Sequence, residues 1–274
     1  MSTEITFTQS EHIICTLANL IEGDKSYWVA IGGQPLMAVL LARRLQTPNV
    51  CYVTEDGTVS PQPTTASALI PPGASGGPHY RAIAWKDMNT MGFHCALGYY
   101  DYGILDCVEV DMYGNINSSF LGGDWKHPKR RFGGAGGANE IASMCWRTII
   151  VAEQEKRRYR KRVQFITSPG YLDGSPGARE KAGLPANTGP YRVVSDKAVF
   201  GFDEATKRME LLALTPWATV EDVLAEMDFE PLIGEPLGTV ALPTEEQLEI
   251  LRTEIDPEGR TIGRGQWLSY KQGS

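Results

Sequence analysis

Residues 10–21 place Ile13, Ile14, Leu17, Leu20 and Ile21 at the spacing of one helical face, behind Ser10 as an N-cap, which predicts a helix closed by Gly23. The run at 26–31 (SYWVAI) has no such period and is almost wholly apolar, the signature of a buried strand. It leads through Gly32 and Gly33 to Pro35, which suits a first helical turn, and the apolar stretch 36–45 supplies that helix. A second strand is predicted at 50–54 (VCYVT). It stops at Glu55, Asp56 and Gly57, so an acidic pair lies where a strand ends. Strands and helices in alternation predict an open, mostly parallel sheet with flanking helices, in which ligands meet the carboxyl ends of strands.

The alternation continues with a strand at 104–110, a turn at Tyr113, Gly114 and Asn115, a glycine loop at 133–137, a helix from Asn139 onward and a strand at 148–152. Between 60 and 77 the chain is rich in Pro, Ser, Thr and Gly and reads as a loop. Beyond Gly189 the rhythm changes. Short β runs at 191–194, 198–202 and 208–214 predict a small antiparallel C-terminal portion. Helices follow at 220–227 and 245–255, the second opened by Thr244 and Gln247 in capping-box spacing. The class is α/β, read as a single domain over residues 1–274.

Composition narrows the function. A hydrophobic share of 42% with 22% charged residues excludes a disordered or fibrous class. The first residues lack a basic region followed by an apolar core, and no stretch of about 18 apolar residues occurs, so a cytoplasmic location without membrane contact is expected. The five cysteines, Cys15, Cys51, Cys95, Cys107 and Cys145, lie far apart with no C-x-x-C pair, which predicts reduced, mostly buried thiols. A net charge of -7 argues against nucleic acid as a partner. Two basic runs stand against that charge, 126–131 (KHPKRR) and 156–162 (KRRYRKR). Such blocks are ordinarily solvated faces, although either could meet an anionic ligand.

Three places could carry chemistry. Glu55, beside Gly57 at a strand end, is a common kind of acidic position, usually a capping or solvent-facing group. The loop Gly133, Gly134, Ala135, Gly136, Gly137, Ala138 leads into a predicted helix, where backbone N–H groups can hold an anion or a developing oxyanion; the plain alternative is a tight connection needing positive φ. In residues 111–118 (DMYGNINS), Asn115 and Asn117 could present amide donors, although turn chemistry explains most of the segment. His94 and His127 lack partners at metal-ligand spacing, so no metal is expected. No G-x-S-x-G, Walker loop or strand-borne G-x-G-x-x-G occurs, which removes the commonest hydrolase, nucleotidase and dinucleotide readings.

Taken in order and spacing, several segments together resemble the β subunit of family I coenzyme A transferases of the glutaconate type. They are 32–44 (GGQPLMAVLLARR), 55–57 (EDG), 111–118, 127–129 (HPK), 134–139 (GAGGAN), 155–157 (EKR), 167–174 (TSPGYLDG), 183–185 (GLP), 202–209 (FDEATKRM) and 254–257 (EIDP). The resemblance spans nearly the whole chain. It implies that Glu55 is the carboxylate that becomes covalently acylated, that Gly136, Gly137 and Ala138 stabilise the oxyanion with Asn115 in support, and that Lys126, Lys129 and Arg130 hold CoA phosphates. It further implies coenzyme A as a substrate with no permanently bound cofactor, an α subunit from another chain as obligatory partner, and a dicarboxylic acyl group. A carboxylate is ionised at neutral pH and needs no general base, which accounts for a site without histidine.

Relatives on the same fold hydrolyse a ring of a CoA-linked substrate or decarboxylate a glutaconyl-type thioester and have generally lost this glutamate, so its presence here favours transfer, with acyl-CoA hydrolase or decarboxylase as the alternative. A ligand-sensing module on a related fold is a further alternative, disfavoured by net acidity. Two features depart from the family pattern. Asp56 stands where a small polar residue is usual, and the segment 58–63 is shorter than its counterpart. Strand alternation would point Asp56 away from the thioester; otherwise it would raise the pKa of Glu55.

Overall fold

The computed structural model describes residues 4–29, 33–62, 80–263 and 265–271. The predicted loop at 60–77 therefore lies outside the described residues beyond position 62, as does the end of the first predicted strand. Two compact units are formed, Met1–Met88 with Ala241–Ser274, and Asn89–Val240.

In the first unit the opening helix is Gln9–Asn19, and its cap is Thr8 rather than the expected Ser10. The Thr8 hydroxyl accepts from the Glu11 amide while the Glu11 carboxylate accepts from the Thr8 amide at 2.8 Å, a reciprocal capping box. Ser10 sits inside the helix, where its hydroxyl accepts from the Gln34 side chain. The correction follows from a strand that periodicity did not announce. Glu4–Thr8 pairs antiparallel with Trp267–Lys271, and its extended backbone delivers Thr8 in cap geometry.

Ser26–Val29 and Cys51–Thr54 pair in parallel, with Tyr27 opposite Tyr52 and Val29 opposite Thr54. The helix between them, Gly33–Leu45, buries every residue from Pro35 to Ala42, because an apolar run without a polar face must be enclosed. Thr58–Val59 then folds back antiparallel on Cys51–Thr54, and Ala84–Trp85 adds antiparallel to that. The capping box at Thr244 and Gln247 is present. Its helix, Glu245–Ile250, continues as a wider π-type turn over Leu251–Ile255.

The second unit holds three parallel strands, Tyr102–Asp106, Arg147–Val151 and Pro190–Val194, with Ile104, Ile149, Ile150, Val193 and Val194 wholly covered. Ala198–Phe202 and Met209–Leu214 follow antiparallel, as expected, but extend the same sheet. Leu232–Thr239 returns parallel to Met209–Leu214 at the margin. Gly234, Pro236 and Gly238 disguise it in the sequence, and an edge is where a strand tolerates them. The strand expected at 104–110 is two. Tyr102–Asp106 stays in the main sheet, whereas Glu109–Asp111 joins Ile116–Asn117 and Tyr159–Arg160 in a small one. The buried carboxylates of Glu109 and Asp111 draw the chain there, because Asn117 and Asn115 supply their hydrogen bonds. The α/β class with its mainly parallel inner strands is the expected one. Among the described residues no helix is long and apolar enough to cross a membrane.

Candidate active site

Glu55 is half-buried in a tight turn directly after Cys51–Thr54. The turn is closed by a hydrogen bond from the Gly57 amide to the Thr54 carbonyl at 2.9 Å. Asp56 takes part in the closure. Its Oδ1 accepts from the Thr54 hydroxyl at 2.5 Å and from the Thr58 amide at 3.3 Å, so its carboxylate folds back on its own turn. Alternation along a strand is not the reason, because both acidic residues lie past the strand's end. Gly57 has φ +91°, and a Cβ there would stand 1.8 Å from the Lys86 carbonyl oxygen. The Lys86 amide donates to the Gly57 carbonyl at 2.9 Å, which holds the two segments in that close approach.

The glycine loop belongs to the second unit. The Gly134 amide donates to Ser118, and Gly134 and Gly136 have φ +87° and +49°. At Gly134 the demand is conformational rather than spatial, since a Cβ would meet nothing within 4 Å. The helix that follows, Ala138–Met144, is only seven residues long. The Ala138 amide is donated to the Ala135 carbonyl at 2.8 Å. Asn139 donates to the Thr167 carbonyl at 2.9 Å and ties the loop to the segment 167–174.

Behind that helix lies Arg179, which sequence inspection did not single out. It is 4% exposed, and its guanidinium donates to the carbonyls of Pro169, Gly170, Ala142 and Ser143 and to the Thr188 hydroxyl. Followed in the sequence by Glu180 and Lys181, it reads as one more surface charge.

Asn115 is 1% exposed, and its amide is committed inward. Nδ2 donates to both Asp111 oxygens and the Leu172 carbonyl, while Oδ1 accepts from the amides of Gly170 and Leu172. The Asn115 side chain is thus used in building the 167–174 loop. Asn117 is likewise engaged with Glu109 and the Phe120 carbonyl. Burial pushes the Asp111 carboxyl upward, opposed by Asn115 and by the amides of Tyr113 and Val163.

Lys126, Lys129 and Arg130 lie on an exposed hairpin, Phe120–Gly123 with Pro128–Arg131. Asp124 shapes its tip by accepting from the amides of Lys126 and His127, each at 2.8 Å. Alternation sends Lys129 to the face of Arg131, which stacks on Trp125 at 4.7 Å, and Arg130 to the opposite face over Phe132 at 4.9 Å. The second basic run is an ion-paired surface. Arg158 bonds Glu153 and Glu155 at 2.9 and 3.0 Å, Arg157 bonds Glu155 at 2.7 Å, and Arg160 faces Asp228 at 3.4 Å.

All five cysteines are free thiols, and only Cys51 is exposed. Cys95 and Cys145 touch at 3.4 Å, and burial pushes the Cys107 thiol up to about 12. Among the described residues no group of three or more His, Cys, Asp or Glu is placed to hold a metal ion. The second unit also contains a polar cavity of about 480 Å³ lined by Arg147, Tyr171, Tyr191, Arg192 and Lys207 among others.

An α/β sheet with a glutamate presented at a strand's carboxyl end and a separate glycine loop defines a class of protein that comparison with known proteins makes specific. Residues 98–226 match the family model for coenzyme A transferase. Over 260 residues the chain is 35% identical to a subunit of the glutaconate CoA-transferase of Acidaminococcus fermentans, covering 92% of this chain and 93% of that one. It is 29% identical to a subunit of the 3-oxoadipate CoA-transferase of Pseudomonas knackmussii, with 90% and 92% covered. The crystal structure of glutaconate coenzyme A-transferase from Acidaminococcus fermentans superposes with a TM-score of 0.84 at 33% identity, covering 93% of this chain and 97% of that one. The chain belongs to the coenzyme A transferase family.

Proposed function

We propose that residues 1–274 act as the single-domain β-type subunit of a CoA-transferase, which moves CoA between an acyl-CoA, dicarboxylic in kind, and a carboxylic acid through Glu55. The observation that carries this reading is the presentation of Glu55 at the end of Cys51–Thr54, on a turn whose second carboxylate is occupied with Thr54 and Thr58. Asp56 therefore shapes the turn and leaves the nucleophile's task to its neighbour.

In this reading the Glu55 carboxylate attacks the thioester carbonyl, forming an acyl–glutamyl anhydride and releasing CoA thiolate. The thiolate then attacks the glutamyl carbonyl, which frees the original acid and leaves CoA on Glu55 as a thioester. The acceptor acid reverses the two steps. Exclusion of water preserves the thioester energy at each stage. Gly136 and Gly137 serve as oxyanion donors through their backbone amides, a contact whose loss typically costs about 100 to 1,000-fold in rate. Asn115 supports them indirectly through the loop it builds. Lys126, Lys129 and Arg130 meet the CoA phosphates from the hairpin, with Lys129 and Arg130 working from opposite faces. CoA is a substrate and no cofactor remains bound. The partner is an α-type subunit on another chain, in keeping with two relatives that are each one subunit of their enzyme.

The test is to assemble the protein with an α-type subunit, incubate it with an acyl-CoA and weigh the peptide that carries Glu55. A CoA adduct is expected there, together with at least about a 1,000-fold loss of transfer in Glu55→Ala, the scale of removing a nucleophile. Full turnover by that variant would exclude the mechanism. Acyl-CoA loss to water or as carbon dioxide, without transfer to an acid, would replace it with the hydrolase or decarboxylase alternative.

A further inference from the structure

The helix Met88–Ala96 and the residues that follow it are apolar on two sides. Inward, Met91 and Cys95, one turn apart, are covered. Outward, Phe93 and Leu97, also one turn apart, are 63% and 56% exposed. The chain then turns at Gly98 with φ +80°, and the Trp146 indole lies across that glycine and donates to its carbonyl at 3.1 Å. Tyr99, 63% exposed, meets His94 edge-on at 5.4 Å, and Trp146 is itself 44% exposed. The contacts of Trp146 with Gly98 and of Tyr99 with His94 bring these exposed side chains together with Phe93 and Leu97 around one turn of chain within the second unit.

Large side chains carry roughly 200 Å² each, so these exposures leave about 450 Å² of mostly apolar surface open to water. That is about half of the roughly 800 Å² that each partner contributes to a stable interface, and enough for its dry centre. Three aromatic side chains and a leucine also match the composition of such a centre, which is depleted in charge. The inner face of the helix already satisfies folding, so the outer face has no structural reason to be apolar in an isolated chain.

We propose that this face is the docking surface for the α-type subunit, through a matching apolar surface on that chain. The inference rests on the two-subunit reading above, which supplies the α-type chain as occupant, and contact with a second copy of this chain is the outcome that the test separates from it.

The experiment measures binding of the full chain to the α-type subunit by calorimetry and by co-elution, for wild type, Phe93→Asp, Leu97→Asp and Tyr99→Lys. Ile233→Asp, at an apolar residue 43% exposed elsewhere in the unit, serves as control. The three test residues are exposed, so circular dichroism and thermal midpoints should match wild type, and the remaining pair is informative if one variant misfolds. Each is expected to weaken association at least about 30-fold, the threshold of an interface hot spot, while Ile233→Asp leaves it within about threefold. Wild-type affinity in the folded variants would overturn the docking surface and leave the two-subunit reading intact. A wild-type chain that ignores the α-type subunit, with variants that break a homo-oligomer, would overturn both.

Discussion

Gly57 joins two requirements in one position, a left-handed backbone and the absence of any side chain against the Lys86 carbonyl. Since the turn that it closes carries Glu55, the glycine determines where the proposed nucleophile stands. Gly57→Ala should therefore cost about 2 to 4 kcal/mol, the range for strain combined with a backbone clash, and should reduce transfer even in the fraction that folds. Urea denaturation alongside single-turnover kinetics checks both, and unchanged stability would contradict the close approach. Asp56 shows the limit of reading such a site from sequence. Strand alternation predicts that Asp56 points away from the thioester, yet what holds it is a set of local hydrogen bonds with Thr54 and Thr58 that the sequence does not advertise.

At the scale of elements, legibility followed burial. The runs TIIV and VCYVT gave strands close to the observed ones, because a strand covered on both faces must be apolar throughout. Capping chemistry was readable at Thr244 and missed at Thr8, where the preceding strand has only two large apolar residues, Ile5 and Phe7. Leu232–Thr239 hid behind Gly and Pro, and Asn115 looked like a donor for substrate because its partners come from residues up to 57 positions away. The Thr8 cap has a measurable consequence. Its carboxylate partner, Glu11, is 1% exposed and binds Arg252 at 2.6 Å, so the helix start, the first strand and the C-terminal segment share one polar cluster. Thr8→Ala should lower stability by about 1 to 2 kcal/mol, the upper range for an N-cap, read as a shift in the urea midpoint. A change below about 0.3 kcal/mol would deny the cap its role.

For the molecule as a whole, acidity offers a probe of the buried interior. Burial lowers the His12 pKa from 6.5 to about 4, and the side chain is wholly covered beside Phe7. Above pH 6.5 the imidazole is neutral whether folded or unfolded. As the pH falls toward 4 the unfolded chain gains a proton that the folded chain refuses, so stability is lost, by an amount on the order of 3 kcal/mol across the window. Asp111 and Asp196, raised by burial, act in the opposite sense, because protonation relieves them. The difference between wild type and His12→Leu isolates the histidine. Wild type should weaken relative to the variant from pH 6.5 to 4 in urea titrations, and parallel profiles would remove His12 as the cause.

Arg179 gives the glycine loop its anchorage from behind. Two of its hydrogen bonds reach Ala142 and Ser143, in the last turn of the short helix that the loop opens. The others grip Pro169, Gly170 and Thr188, so the helix cannot drift from that wall unless the whole set loosens together. The base of the helix is accordingly riveted in place through its last carbonyls. A lysine, with a single point of attachment, would turn the rivet into a hinge.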